Sequence, residues 1–296
     1  MTHRDALADV ATVAHRLAVL LGAGVSPSSA WAYIAEQSVS PVPSVVGPDP
    51  PSALLAASAT LPPLEAQGWR GLAAAWSVAT DAGAPLAPAL RGYAASLRSL
   101  AQAQRDARTA LAGPVATGRI VMALPALGML FGVALGFDTL GVLIGSPFGW
   151  ACLAVGGALI ATAALWNRRL VASARPADAA PGVDCDLTAI AVSGGAALPR
   201  ARAAVEAALE RFSLPASGRV EGALALAVRA GVPAAELLRA EADEARAEAR
   251  ADAQAKAARL AVKLMLPLGI CVLPSFMVIG VLPLIASIVT STVSGF

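Results

Sequence analysis

Two long stretches without charge constrain this chain more than any other feature. The first covers residues 120–167 and contains one charged residue, Asp138; the second covers 264–296 and contains none. Only 14% of all residues are charged, against about 25% in soluble domains. A helix needs about 20 predominantly apolar residues to cross a bilayer. The pattern therefore predicts an integral membrane protein with transmembrane helices at 118–137, 148–167 and 264–289.

The basic residues predict one orientation for all three spans. Lysine and arginine concentrate on the cytoplasmic side of membrane proteins. Here they flank the predicted spans on one side only, whereas the turn 138–147 and the C-terminal tail have none. We therefore expect a multi-pass protein of the inner (cytoplasmic) membrane, in contact with lipid, with a cytoplasmic N-terminus, a cytoplasmic segment 168–263 and an external C-terminus. The flanking residues are Arg105, Arg108, Arg119, Arg168, Arg169, Lys256, Arg259 and Lys263.

A stripe of small residues in the first predicted span favours close helix packing. Gly128, Gly132 and Gly136 recur every four residues, and glycines at this spacing let another helix approach closely. Two partners fit this stripe, the second helix of the same chain or a neighbouring subunit. Asp138 lies at the end of this span, where a carboxylate is either a solvated interfacial acid or part of an ion path.

The segments outside the membrane repeat one design, a helical hairpin. An apolar helix ends at glycine and a second amphipathic helix begins within a few residues, often at proline. Glycine adopts the left-handed conformation of a helix C-cap at low cost, and proline suits the first turn of a helix. The predicted turn residues are Gly24, Gly83, Gly194 or Gly195, and Gly231, with Pro27, Pro85, Pro199 and Pro233 following them.

The hairpins also repeat over long range. At an offset of 148 residues, Gly83 aligns with Gly231, Pro85 with Pro233, and Arg91 with Arg239. Each copy would then consist of two hairpins, a long helix and a membrane span. The expected fold is an all-α membrane protein with two small, duplicated cytoplasmic helical-bundle domains and three transmembrane helices.

The boundaries of these parts follow from composition. We predict a first cytoplasmic domain at 1–117, a transmembrane hairpin at 118–167, a second cytoplasmic domain at 168–263, and a last span with an external C-terminus at 264–296. A proline-rich insertion at 38–63 interrupts the first domain, and its stretch 39–51 is typical of a flexible or extended linker. The charged helix 234–263 is interpreted as a solvated stalk or as a docking surface for a partner.

The order of these elements resembles the type II secretion system F family. The resemblance rests on 17-LAVLLGAGV-25, on 226-LAVRAGVPAAELL-238 and on the proline-containing last span that begins 264-LMLPLGICVLPSF-276. It covers nearly the whole chain. The short, alanine-rich sequence is most similar to the tight-adherence (Flp) pilus branch.

This resemblance implies a platform role in pilus assembly or type II secretion. Members of the family are inner-membrane scaffolds. Their expected partners are a hexameric cytoplasmic secretion ATPase, pilin or pseudopilin subunits, and a paralogous platform subunit or a second copy of the chain.

The residues themselves offer little for catalysis. The chain has two histidines, His3 and His15, and three cysteines without CxxC spacing, so no metal or disulfide framework is indicated. It also lacks P-loop, HExxH and GxSxG motifs. We expect no enzyme activity, no cofactor and, with a net charge of +2, no nucleic-acid partner. A small transporter or channel, with Thr162 and Ser275 as its polar groups, and a membrane-anchored adaptor remain the alternatives.

Overall fold

The fold is described from a computed structural model, which covers residues 6–37, 49–134, 141, 144–173 and 180–293. All elements in these ranges are helical, which agrees with the predicted all-α membrane protein. Two compact units are present. The helical unit comprises Met1–Arg105 and Pro176–Asp252, and the apolar unit comprises Asp106–Arg175 and Ala253–Phe296.

Ten helices precede the C-terminal segment in the described part of the chain. They are α1 (Ala6–Gly22), α2 (Pro27–Gln37), α3 (Pro50–Ser58), α4 (Pro63–Asp81), α5 (Leu86–Ala134), α6 (Pro147–Ser173), α7 (Val183–Ser193), α8 (Leu198–Arg211), α9 (Val220–Ala230) and α10 (Ala234–Lys263). The C-terminal segment, 265–293, alternates α-helical stretches with two π-helical turns, Leu268–Val272 and Met277–Val281. The helix α10 coincides with the predicted charged helix.

Left-handed residues close the hairpins at four turns. Gly24, Gly83, Gly195 and Gly231 all have φ between 66° and 87°. At the first turn, the Val25 amide donates to the Leu20 carbonyl at 3.0 Å and the Gly24 amide to Leu21 at 3.1 Å, which is the Schellman pattern. In the third hairpin Gly195 is therefore the left-handed residue, because Gly194 has φ −75°.

One hydrophobic core holds both halves of the helical unit together. The helix α4 lies at its centre and packs against α1, α3, α7 and α8. Eleven of its residues are buried, many of them alanine or glycine, as expected for a helix covered on nearly all sides. The same core contains Leu17 of α1, Leu72 of α4 and Leu187 of α7. The two segments predicted as separate cytoplasmic domains thus share a core.

A short helix lies inside the insertion that the sequence analysis treats as a break in the pattern. The helix α3 begins at Pro50, after Asp49, whose carboxylate accepts a hydrogen bond from the Ser52 amide at 3.3 Å. This is a regular N-cap, with proline in the first turn where its missing amide costs nothing. Leu54 anchors the helix in the core with 1% exposure. The linker interpretation was therefore wrong for residues 50 and 51, and residues 38–48 lie outside the described ranges.

Two helices of the described residues are long and apolar enough to cross a membrane, Pro147–Leu170 and Ala234–Val281. They correspond to the second and third predicted spans. Residues 118–134 of the first predicted span continue α5 as an unbroken helix, whereas residues 135–137 lie outside the described ranges. The total of three spans, which requires the first predicted span at 118–137, and the orientation of the termini stay predictions.

We predict that Gly71→Ala lowers the thermal unfolding midpoint. A Cβ at Gly71 would overlap the Tyr93 hydroxyl, which donates a 2.7 Å hydrogen bond to the Gly68 carbonyl inside the core. Overpacking of a core typically costs about 1–3 kcal/mol, more than the ~1 kcal/mol that alanine gains over glycine in a helix. Tryptophan fluorescence of the full-length protein in detergent, followed during heating, measures the midpoint.

The matched control is Gly92→Ala on α5, where a Cβ would meet no atom within 4 Å. This variant should be as stable as the wild type or more stable, because only the helix-propensity gain remains. Equal midpoints for the two alanine variants would contradict the predicted clash.

Candidate functional site

A cleft of about 390 Å³ lies in the helical unit. The helix α5 forms one wall and α7 and α10 form the other. Its sides are mostly alanine, proline and other apolar residues, and its polar groups include Ser96, Ser99 and Asp186. The cleft therefore lies between the two chain segments that form the helical unit.

A buried ion pair joins α7 to α10 at this cleft. Arg246 donates to Asp186 at 2.7 Å and to Asp243 at 2.7 Å, and the side chains of Arg246 and Asp186 are only 6% and 17% exposed. The Ser96 hydroxyl of α5 donates to the same Asp186 oxygen at 3.3 Å. Burial raises the pKa of the Asp186 carboxyl, and the Arg246 guanidinium opposes that rise. Asp186 of α7 thus contacts side chains from two other helices, α5 and α10.

A second buried carboxylate fixes the loop between α8 and α9. Asp184 is 3% exposed and accepts hydrogen bonds from the Ser217 amide at 2.6 Å and from its hydroxyl at 2.7 Å. Cys185 beside it is fully buried, and burial, reinforced by the Asp184 charge, raises the pKa of this thiol to about 12. The thiol is therefore protonated at neutral pH and a poor nucleophile.

The turn before α8 touches the turn before α5. A Cβ at Gly194 would overlap the carbonyl oxygen of Ala82 and lie 3.0 Å from the Ala84 amide nitrogen. Only glycine permits this approach, because the obstructing atoms belong to the backbone. Gly194 thus permits contact between these two turns, and it does not form the left-handed cap.

In the apolar unit, α6 and the C-terminal segment make a close helix contact. A Cβ at Gly156 would overlap the Ile279 side chain. The buried Ser275 hydroxyl donates to the Gly156 carbonyl at 3.1 Å. Small residues and a polar group across helices are the usual determinants of association in lipid. This contact was not anticipated from the sequence, because a Gly156-Gly157 pair by itself does not reveal which helix approaches it.

One glycine of the predicted stripe, Gly128, lies against the C-terminal segment. A Cβ at Gly128 would lie 2.9 Å from the Phe276 ring and 3.8 Å from the Gly280 Cα. The partner of the whole stripe stays a prediction. Gly132 lies on the same helix α5, and Gly136 lies outside the described residues, as does Asp138.

The π-helical turns accommodate prolines of the C-terminal segment. Pro274 lies two residues after the end of the first π-helical turn, Leu268–Val272. Pro283 lies two residues after the end of the second, Met277–Val281. Proline lacks an amide and its ring clashes with the carbonyl four residues earlier, and a wider turn relieves that clash. Local π adjustments of this kind are tolerated in membrane helices and are frequent at functional sites.

The polar groups considered for a channel are engaged within the protein. The Thr162 hydroxyl donates to the Ala158 carbonyl at 2.8 Å in its own helix, and Ser275 donates to Gly156 as described. Within the described ranges, no group of three histidine, cysteine, aspartate or glutamate residues is placed to hold a metal ion.

The ion pair between Asp186 and Arg246 was not predicted from the sequence. The two residues are 60 positions apart, and the sequence around each is typical of a solvent-exposed residue. Asp186 lies near the start of a helix, and Arg246 is one of twelve charged residues in α10. The stalk interpretation of α10 was therefore incomplete, because Arg246 is buried. A single sequence contains no signal that two such distant residues form a pair.

We predict that Arg246→Met strongly destabilises the helical unit at neutral pH. Removing one partner of a buried pair typically costs about 3–5 kcal/mol because the other charge stays buried. The folded-state pKa of Asp186, already raised, would rise further, so folding would take up a proton. The loss in unfolding midpoint should therefore be largest at alkaline pH and shrink as pH falls and Asp186 becomes protonated. Heat denaturation of the full-length protein at a series of pH values measures this loss in unfolding midpoint.

Two further variants make this test specific. Asp186→Asn combined with Arg246→Met should recover much of the lost stability, since neither residue of the pair then carries a buried charge. Arg202→Ala, which breaks the exposed 2.8 Å pair with Glu221, should cost under about 1 kcal/mol. A pH-independent loss for Arg246→Met would contradict the role assigned to Asp186.

We predict that two adjacent glycines of α6 respond differently to leucine. Gly156→Leu should separate α6 from the C-terminal segment, because Ile279 occupies the space that a side chain would need. Gly157→Leu should be tolerated, since a Cβ there meets no atom within 4 Å. Protease resistance of the purified protein in detergent is the measurement, and equal resistance of both variants would rule out the proposed contact.

Residues 191–282 match the family model described as type II secretion system (T2SS), protein F. No curated protein and no solved structure matches the chain. The matched range begins near the end of α7, includes α8, α9 and α10, and ends in the C-terminal segment. It covers about a third of the chain. This part of the chain is therefore similar to type II secretion system protein F, and two helices of the described residues are apolar and long enough to cross a membrane.

Proposed function

We propose that this chain is an inner-membrane platform protein of a pilus-assembly or type II secretion machine, most similar to the tight-adherence branch. The family match at 191–282 carries the proposal. The matched residues include α8, α9 and α10 and most of the predicted last span, so they connect predicted cytoplasmic helices to a predicted membrane helix.

In this role the helical unit binds a cytoplasmic secretion ATPase, and the apolar helices contact pilin or pseudopilin during extraction from the bilayer. Large apolar side chains of the described spans are exposed, among them Leu130, Phe131 and Ile285. They fit contact with lipid or with the apolar helix of a pilin. The chain binds and transmits force, and the chemistry of ATP hydrolysis belongs to its partner.

The two long helices α5 and α10 suit the coupling of an ATPase to the membrane helices. The helix α5 contains residues of both units, and α10 does as well. A continuous helix passes on a displacement or rotation along its axis, because its backbone hydrogen bonds are internal. The orientation that we propose has the N-terminus in the cytoplasm and the C-terminus outside, and surface accessibility of a C-terminal tag in intact cells checks it.

Deleting the gene should abolish surface filaments or type II secretion while prepilin cleavage continues. The reason is that a platform acts after pilin processing, when subunits leave the bilayer. Filaments sheared from cells, the secreted proteins and the ratio of mature to unprocessed pilin are the three measurements. Expression of the wild-type chain from a plasmid is the control and should restore the missing output.

Unchanged filaments together with unchanged secretion would overturn the proposal. Loss of pilin cleavage would also contradict it, because that result would place the chain at the processing step.

A further inference from the structure

The charges of α10 change in kind where the helix enters the apolar unit. Up to Asp252 the helix carries both acids and arginines, whereas from Ala253 onward its charged residues are all basic, Lys256, Arg259 and Lys263. All three are exposed. None of them forms an ion pair with an acid in the described part of the chain. Charges of one sign without partners attract a ligand of the opposite sign.

The three basic residues lie in one row on the helix surface, and apolar residues continue that row. Their spacing of i, i+3 and i+7 places them on one face, along about 10 Å of the helix axis. The Leu264 amide donates to the Leu260 carbonyl at 2.9 Å, so helical geometry continues past the end of α10. The same spacing then reaches Leu266 and Ile270, which are 52% and 59% exposed. We call these five positions the 256–270 row. Its first half is cationic and its second half is apolar.

Both lysines of the chain lie in this row. Of the 22 basic residues, only Lys256 and Lys263 are lysine, and all the others are arginine. Lysine carries a compact ammonium on a flexible stem of carbon atoms. The stem can lie on apolar surface while the ammonium reaches water or a phosphate group. Lysine therefore suits a position where an apolar helix passes into a layer of lipid head groups.

The helix α6 runs antiparallel to the C-terminal segment. Gly156 of α6 lies against Ile279. Further along α6, Ala163 shares a hydrophobic cluster with Cys271, so the residue number rises along α6 as it falls along the segment. The C-terminal end of α6 therefore lies beside the start of the segment, in agreement with the contacts between α6 and Met265–Pro267.

That end of α6 is also basic, and it carries an aromatic residue typical of a membrane interface. Arg168 and Arg169 are exposed, and Trp166 is 38% exposed. Tryptophan is enriched where a bilayer meets water, and lysine and arginine are enriched on its cytoplasmic side. The described residues of the apolar unit contain one acid, Asp106. Head groups on this side of the membrane therefore meet a surface of net positive charge.

We propose that the 256–270 row binds an anionic phospholipid, with the phosphate group on its three cations and an acyl chain along Leu266 and Ile270. The head group has a net negative charge, because a zwitterionic head group brings its own ammonium, which competes with the lysines for the phosphate. Basic residues next to a membrane helix bind anionic lipids in this way. The proposal rests on a membrane location of the apolar unit and not on contacts with an ATPase or a pilin.

Native mass spectrometry of the full-length protein in a non-ionic detergent tests the choice of lipid. Dioleoyl phosphatidylglycerol, the anionic probe, should bind about tenfold more tightly than dioleoyl phosphatidylethanolamine, the zwitterionic probe. Inorganic phosphate and glycerol 3-phosphate should not displace the anionic lipid at equal concentration, since neither has an acyl chain to lie along the apolar half of the row.

Substitutions of the cations test the location of the site. The combined variant Lys256→Gln, Arg259→Gln and Lys263→Gln should bind phosphatidylglycerol about 100-fold more weakly, since each cation beside an anionic surface contributes about fivefold. Lys256→Arg combined with Lys263→Arg keeps both charges and should bind the lipid like the wild type.

The matched control removes the same charge elsewhere. Arg16→Gln, Arg200→Gln and Arg229→Gln together neutralise three exposed arginines of the helical unit. This variant should bind phosphatidylglycerol like the wild type, because its substitutions are outside the 256–270 row. The unfolding midpoints of both triple variants should equal that of the wild type, since all six side chains are exposed.

The wild-type chain supplies a second measurement that needs no substitution. An amine-reactive ester can label only Lys256, Lys263 and the N-terminal amine. Phosphatidylglycerol added in detergent should slow the labelling of both lysines relative to the N-terminal amine, whereas phosphatidylethanolamine should not. Peptide mass spectrometry measures the labelled fraction at each lysine.

Equal binding of the two lipids would overturn the proposal, and so would unchanged binding by the triple glutamine variant or unprotected lysines. An equal loss in the control variant would contradict it as well, because binding would then depend only on net charge. Displacement of the lipid by inorganic phosphate would indicate a soluble phosphate ligand instead of a lipid. All these measurements use purified protein and no filament assembly, so failure here and failure of the platform role are distinguishable.

Discussion

Close approach between helices, made possible by alanine and glycine at contact positions, is the constraint on which this structure depends. In the helical unit, α4 is covered by four other helices because its buried residues are mostly small. In the apolar unit, Gly156 admits Ile279 and Gly128 admits Phe276. Water supplies the driving force for the first kind of contact, whereas dispersion and hydrogen bonds must supply it in lipid. The same alanine- and glycine-rich composition therefore permits close helix packing both in water and in lipid.

Small residues bring helices together, but they specify partners poorly, and the polar contacts supply that specificity. Asp186 receives Arg246 from α10 and Ser96 from α5, and Ser275 reaches the Gly156 carbonyl. A shifted register would leave each of these groups buried without its partner, at a cost of about 1–3 kcal/mol or more for a charge. The ion pair thus acts against alternative packings of α10 on α7.

The sequence predicted the local structure well and the long-range contacts poorly. Glycine followed by proline is a backbone signal, so the turns at Gly24, Gly83 and Gly231 could be predicted. The turn at Ser213, with φ 51°, could not, because serine rarely adopts that conformation. The spacing of Gly128, Gly132 and Gly136 indicated close packing but not its partner helix, and the pairing of Asp186 with Arg246 leaves no trace at either position alone.

The predicted duplication is consistent with the core that the two predicted domains share. A single copy of two short hairpins has too little apolar surface to be stable alone, as is typical of repeat units. Leu90 and Leu238, which correspond at the 148-residue offset, are both fully buried. In the structure, α1 to α5 and α7 to α8 contribute to one hydrophobic core, so each part of the helical unit covers apolar residues of the other.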